Sequence, residues 1–150
     1  MKGWNRNKID IISGLKNSNS KEAYELLLEL EKQAAESDIL YGYFDDFVKL
    51  TNDESSYVRI RGFRLVCAQA QWDTENKLGK NINALLCMLS DVKPIAVRQC
   101  LAALHSVVLY KPELTDSIIE QLQRLDLSKY KDSMAPLIEK DIEELLKVME

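Results

Sequence analysis

The chain has 150 residues, of which 46% are hydrophobic and 29% charged, with a formal net charge of −4 and an isoelectric point near 5.2. This composition excludes a disordered chain, and its acidic balance argues against broad binding to nucleic acid or to an anionic membrane. Five glycines and three prolines are too few breakers for a turn-rich β fold. We therefore expect one domain that spans residues 1–150.

Apolar residues recur at helical spacing along almost the whole chain, and this periodicity predicts an all-α fold of eight helices. In chain order, the predicted helices are Trp4 to Lys16, a helix capped by Ser20, Ile39 to Leu50, a helix from Ser55 or Ser56 to about Gln71, a helix ending at Leu89, a helix with Pro94 in its first turn, Pro112 to about Leu125, and a last helix with Leu137, Ile138, Ile142, Leu145 and Leu146 as its apolar positions. The apolar positions of the first helix are Ile9, Ile12 and Leu15.

Two segments match without gaps at an offset of 39 residues, YFDDFVKLTNDESSYVRIRGFRLV (43–66) and INALLCMLSDVKPIAVRQCLAALH (82–105). Each has an amphipathic helix, a turn with Asn52 or Asp91, and then the pair VR at the start of a second apolar helix. This pattern resembles the HEAT repeat, whose class has periods of about 40–47 residues. The resemblance implies a right-handed α-α superhelix of about four HEAT-like helical hairpins, with the outer two as caps, and implies nothing specific about function.

The arginine of each VR pair is predicted to be structural. At about 100° per residue, Arg59 lies within the apolar face of its helix, where a charge must be paired or hydrogen-bonded. Its natural partners are turn acids and turn carbonyls, at Asp53 or Glu54 in its own repeat and at Asp91 in the next. The same geometry is expected for Arg98. The resemblance implies that such arginines form a ladder between repeats.

Arg61 and Arg64 share the opposite helix face with Tyr57, and in a HEAT-like pair that face is expected to be concave. It is either a solvated face or an Arg/Tyr contact patch of the composition enriched at protein interfaces. The next helix is apolar nearly all round, which indicates burial within the chain or against a partner or a second copy. Its small apolar residues are expected to form a partner groove, namely Ala96, Cys100, Ala103 and Val107.

The sequence has no HExxH, GxSxG, GxxxxGK or GxGxxG motif, and we expect no catalytic residue, metal or cofactor. The lone histidine, His105, is expected to pack in the core or against a neighbouring helix. Cys67, Cys87 and Cys100 lack CxxC spacing, which favours reduced thiols in a cytoplasmic protein. The sequence shows neither a secretory h-region nor a run approaching the ~20 apolar residues of a membrane span.

These features predict a non-catalytic scaffold or adaptor that holds a protein or peptide partner on its concave face, with a homodimer also possible. The alternatives are a DNA-binding or DNA-alkylation-repair-like HEAT protein and a purely homo-oligomeric structural subunit. The net charge of −4 and the extent of the arginine cluster over a single helix argue against nucleic acid. Lys2, Arg6, Lys8 and Lys16 could extend a basic edge, but they belong to a different helix at the end of the stack.

Overall fold

The structure, a computed structural model, describes residues 6–150. Over this range the chain is all-helical and contains no strand, which confirms the predicted all-α class and the prediction of eight helices. The α-helices are α1 (Lys8–Leu15), α2 (Ser20–Glu36), α3 (Phe44–Leu50), α4 (Ser56–Ala68), α5 (Lys77–Leu86), α6 (Pro94–Tyr110), α7 (Thr115–Gln123) and α8 (Ala135–Val148). Short 3-10 segments precede or follow several of them.

Two helix starts are set by asparagine side chains. The helix α1 begins at Lys8. The side chain of Asn7 accepts a hydrogen bond of 2.9 Å from a backbone N–H in the first turn of this helix. Trp4, where this helix was predicted to begin, lies outside the described residues. The cap of α2 is Asn19, whose side chain accepts a first-turn N–H at 3.1 Å, so the prediction of Ser20 as the cap is wrong by one residue. Asparagine and serine are comparable caps, and the sequence alone does not rank them.

Buried apolar side chains form a continuous cluster that draws on all eight helices. Leu65 of α4 and Leu104 of α6 belong to it, as their helix faces predict. Gly62 allows α3 and α4 to approach closely, because a Cβ at this position would lie 2.6 Å from Leu50 Cβ and 2.7 Å from the Phe47 carbonyl oxygen. A glycine is therefore required at this helix contact.

The two end helices bury different residues from those predicted. In α1 the buried residues are Ile11 and Leu15, four apart on one face, whereas Ile9 is 78% exposed. In α8 Ile138 is buried but Leu137 is exposed. Each of these helices has fewer neighbours than a central helix, so its buried stripe is narrow and not every apolar residue points inward.

The even-numbered helices contact one another in chain order, α2 with α4, α4 with α6, and α6 with α8. Both α4 and α6 therefore lie between two other even-numbered helices, and α3 also packs on α4. This arrangement leaves α4 and α6 little free surface, and it decides which of the candidate site residues on these helices are buried.

At one edge of the fold, side chains connect the turns that precede the even-numbered helices. Lys16 Nζ lies 3.7 Å from a carboxylate oxygen of Asp53, Arg59 reaches Asp91, and the hydroxyl of Tyr130 donates to the Asp91 carbonyl at 2.5 Å. These contacts connect four successive turns in chain order. The edge formed by these turns is called the turn edge below.

Two bonds connect the opposite ends of the same helices. The indole Nε1–H of Trp72 donates to the carbonyl of Ala34 at 2.6 Å, and Lys111 Nζ donates to the carbonyl of Asp73 at 3.3 Å. The hydrogen bonds that connect successive helix pairs at both edges join residues 32 to 39 positions apart in the sequence. The helices α2, α4 and α6 are thus connected at both of their ends, and α8 is connected to α6 at the turn edge.

Candidate functional site

Arg59 joins two turns through four hydrogen bonds. Its Nε and Nη2 donate to one carboxylate oxygen of Asp91 at 3.0 and 2.8 Å. Its Nη1 donates to the carbonyls of Asp53 and Glu54, both at 3.0 Å. These are the turn acid and the turn carbonyls named as its natural partners from the sequence. The guanidinium is compensated by one charge and two carbonyl dipoles, which allows it to lie in a mostly buried position.

Arg98 does not share this geometry, so that prediction is wrong. Its guanidinium pairs with Asp141 of α8 at 2.7 and 3.3 Å, and 39% of its side chain is exposed. The reason lies in the next turn, where the position 39 residues after Asp91 holds Tyr130. A tyrosine offers no carboxylate to a guanidinium, and Arg98 therefore pairs with the neighbouring helix.

Arg61 is buried, with 6% of its surface exposed, although the sequence placed it on an open concave face. Its Nη1 donates to the carbonyl of Leu15 at the end of α1, at 2.8 Å. The helical wheel correctly puts Arg61 opposite the Val58/Leu65 seam. The wheel does not show that α1 and α2 also pack against α4 and cover this second side.

The predicted partner groove on α6 is also mostly closed. Ala96, Cys100 and Val107 are fully buried, because α6 packs against α4 on one side and α8 on the other. The alternative of burial within the chain is therefore the correct one for these three residues. Ala103 remains half-buried and accessible from one depression. Burial raises the pKa of the Cys100 thiol, and a protonated buried thiol is a poor nucleophile.

Arg64 is half-buried and lies between three helices. Its Nε and Nη2 donate to the two carboxylate oxygens of Glu31 in α2 at 3.0 and 2.7 Å, and its Nη1 donates to Gln99 of α6 at 3.0 Å. Its guanidinium carbon lies 5.8 Å from the centre of the Tyr24 ring. Burial acts to lower the pKa of Arg64, but the bonds and charge of Glu31 raise it overall, so this side chain is firmly cationic.

The exposed side of the even-numbered helices, here called the groove face, carries three adjoining depressions. The central groove, of about 570 Å³, lies between α2, α4 and α6. The arginine pocket, of about 250 Å³, lies at the α2–α4 contact, and the α6–α8 groove has about 360 Å³. Gln99 lines all three depressions, and Arg64 lines the first two. The three depressions therefore form one connected surface.

Several exposed apolar side chains line the groove face. Among residues 6–150, eleven large apolar side chains are exposed, and five of them line these depressions. The five are Tyr24 and Tyr57 in the arginine pocket, Ile95 in the α6–α8 groove, and Leu109 and Tyr110 in the central groove. Clustered exposed apolar side chains are typical of protein-binding surfaces, where tyrosine is enriched.

Of the predicted partner-binding residues, the structure brings Tyr57, Arg61 and Arg64 together in the arginine pocket and leaves Ala103 in the central groove. The sequence interpretation missed Gln99, Leu109 and Tyr110. The signal for the last two was present in the segment VVLYKP, where an apolar run continues to the end of a helix. His105, predicted as a core or helix-packing residue, is half-buried and lines the α6–α8 groove.

A second polar cluster surrounds Asp73, away from the groove face. Its carboxylate accepts the Tyr41 hydroxyl at 2.6 Å and the N–H groups of Lys77 and Leu78 at 2.8 and 3.0 Å, and Lys111 Nζ lies 3.4 Å away. Burial acts to raise the pKa of Asp73, but these bonds and the lysine charge lower it overall. Burial and the bond to Asp73 raise the pKa of Tyr41 to about 12. Every group of the cluster is thus occupied within the protein, which indicates a structural role.

Within residues 6–150, no group of three or more histidine, cysteine or acidic residues is placed to hold a metal ion. The same range contains no helix with the length and apolar character needed to cross a bilayer. Comparison with protein-family models, with curated proteins and with solved structures finds no match for this chain.

Proposed function

We propose that this protein is a non-catalytic scaffold of the HEAT-repeat type that binds a protein or peptide partner on its groove face. The observation that carries the proposal is that five exposed apolar side chains line three connected depressions. Apolar side chains beside hydrogen-bonding groups such as Gln71, Gln99 and Ser106 match the composition of a protein interface. The charged groups Arg64 and Glu31 pair with each other, so a partner's apolar segment would not have to neutralise them.

The HEAT-like architecture is part of the same proposal. It is supported by the serial contacts of α2, α4, α6 and α8, and by the bonds that connect their ends at nearly constant sequence separation. In a solenoid each repeat contacts only its neighbours, and inter-repeat bonds of constant span are expected. We also propose a cytoplasmic location, since Cys67, Cys87 and Cys100 are free thiols and such thiols suit a reducing compartment.

Affinity capture from the native cell tests the proposal. We would compare the wild type with the double variant L109S/Y110S, which removes the exposed apolar pair of the central groove. The matched control is I9S/V92S, which removes two side chains that are 78% and 76% exposed and lie outside the three depressions. Circular dichroism would verify that all three proteins are folded to the same extent.

We expect a partner protein that the wild type and I9S/V92S both capture and that L109S/Y110S loses. Capture of the same proteins by all three would contradict the assignment of the groove face. Light scattering at several protein concentrations tests the alternative of a homo-oligomeric structural subunit. Self-association of the wild type that is absent in L109S/Y110S would support that alternative.

A further inference from the structure

Among residues 6–150, Arg61 has no carboxylate partner, which is unusual for a buried cation. The residue is 6% exposed, yet its one hydrogen bond goes to a backbone carbonyl. None of the ten salt bridges among residues 6–150 includes it. Taking a charge out of water is costly unless an opposite charge or several hydrogen bonds compensate it. Burial accordingly lowers the pKa of Arg61.

The unpaired nitrogens of Arg61 are accessible to solvent, and the residue lies beside the arginine pocket. Arg61 lines that pocket, and each of its guanidinium nitrogens is either hydrogen-bonded or accessible to solvent. The pocket therefore offers hydrogen-bond donors that carry a positive charge and have no partner among the described residues. This is the chemical complement of an oxyanion.

The other walls of the pocket supply further donors. Arg64 lines it as well, and its bonds to Glu31 and Gln99 use three of its five N–H groups. Tyr24, Tyr57 and Ser20 bring hydroxyl groups. Ser20 is also the first residue of α2, a 17-residue helix whose N-terminal end carries a partial positive charge.

We propose that the arginine pocket binds an oxyanion, a carboxylate or a phosphate group, carried by a segment of the protein partner. The proposal deepens the proposed function and rests on it, because the partner's apolar side chains would occupy the adjoining central groove. The guanidinium groups of Arg61 and Arg64 would donate to the anion, and the Tyr57 hydroxyl would add a bond at the rim. The anion would supply the compensating charge that Arg61 lacks within the chain.

Two observations favour a protein over a nucleic acid as the source of this anion. A volume of about 250 Å³ admits one head group and is smaller than the usual drug-sized site. A polyanion needs several phosphate contacts in a row, but the α6–α8 groove is lined by Asp141 and Glu144 and by one arginine, Arg98, which already pairs with Asp141. The net charge of −4 opposes a polyanion further.

The test is a titration of the full chain with inorganic phosphate and, separately, with acetate, observed through the NMR signals of the six arginine Nε–H groups. We expect saturable shifts of the Arg61 and Arg64 signals and none at Arg124, which is exposed and paired with Glu120 alone. A stronger response to phosphate would indicate a phosphorylated partner segment, and a stronger response to acetate an acidic one.

The variant R61M should weaken the binding of either anion by roughly tenfold or more, because a hydrogen bond to a charged group is lost. Methionine keeps the apolar bulk and removes a buried charge, so the fold should persist. Y57F offers a gentler second variant at an exposed position and should weaken binding several-fold, while R124Q should leave it unchanged. Shifts at Arg64 that are the same in R61M as in the wild type would overturn the proposal.

A short single-stranded oligonucleotide forms the third arm. If the oligonucleotide displaces phosphate from the pocket at a concentration lower than that of the phosphate, the assignment to a protein partner would be overturned. The variant L109S/Y110S should bind phosphate normally, since both residues lie outside the arginine pocket. If L109S/Y110S loses partner capture but still binds phosphate, the groove and the arginine pocket are two distinct sites. If partner capture depends on Leu109 but the wild type shows no response to either anion, only the oxyanion site is refuted.

Discussion

Replacement of Arg59 by alanine tests whether the turn edge stabilises the fold. The substitution removes all four hydrogen bonds of the guanidinium and leaves the carboxylate of Asp91, whose side chain is 5% exposed, without its charge partner. Breaking a buried ion pair from one side costs about 3–5 kcal/mol. Asp91 keeps one bond, from the N–H of Lys93 at 2.9 Å, so we expect a value near the lower end, about 3 kcal/mol.

Urea unfolding followed by far-ultraviolet circular dichroism measures this loss. With a slope of roughly 1–3 kcal/mol per molar, the midpoint should fall by about 1–3 M. The matched control is R124A, which removes an exposed arginine whose partner Glu120 is also exposed, and it should change stability by about 0.5 kcal/mol or less. A loss in R59A no larger than that of R124A would refute the reasoning.

A double-mutant cycle separates the charge pair from the carbonyl bonds. In the R59A background, D91N removes the uncompensated charge, so R59A/D91N should lose less stability than the two single variants combined. The expected coupling is about 1–3 kcal/mol for residues in direct contact. Simple additivity would show that Arg59 acts through the carbonyls of Asp53 and Glu54 alone.

Three further changes follow from buried features elsewhere in the fold. Q69M should raise stability by roughly 1–2 kcal/mol, because both amide atoms of Gln69 are sealed without a hydrogen-bond partner; a lower melting temperature in calorimetry would contradict this. G62A should lower the free energy of unfolding by roughly 1–3 kcal/mol, because the added Cβ would collide with α3. In the control G42A the added Cβ meets no atom within 4 Å. Equal losses of stability in the two variants would argue against the close helix contact. Asp73 should stabilise the fold above its unfolded pKa of about 3.9, and this stabilisation should be lost as the pH falls through its lower folded pKa. In a plot of urea midpoint against pH, D73N should therefore show a flatter acid side than the wild type. Equal acid slopes in the two proteins would contradict this.

Local patterns in the sequence predicted the elements of this fold well, since helix periodicity and caps depend on neighbouring residues. Pro94 does begin α6, and the partners of Arg59 could be named because they lie in turns at a fixed distance along the repeat. The start of α3 was harder to predict, because Tyr41–Tyr43 form a 3-10 turn whose contacts reach Asp73 more than 30 residues away. A bond of that span leaves no local signature.

The candidate site was harder to predict than the fold. A helical wheel assigns faces relative to one apolar seam, and it placed Arg61 correctly with respect to Val58 and Leu65. It does not show how many helices surround α4, and that number decides whether Arg61 is solvated or buried. The same limit applies to Cys100 on α6. Burial of a second face is a property of the assembled helices and has no signal within one helix.

The bonds at the two ends of the even-numbered helices have a consequence for folding kinetics. They join residues only 32 to 39 positions apart, so each can form by closing a short loop, and no distant part of the chain has to be found first. Opening should accordingly begin at the end helices α1 and α8, which have fewer packing neighbours than the central helices, and proceed inward. Amide hydrogen exchange should then be slowest in α4 and α6, the two helices held from both sides.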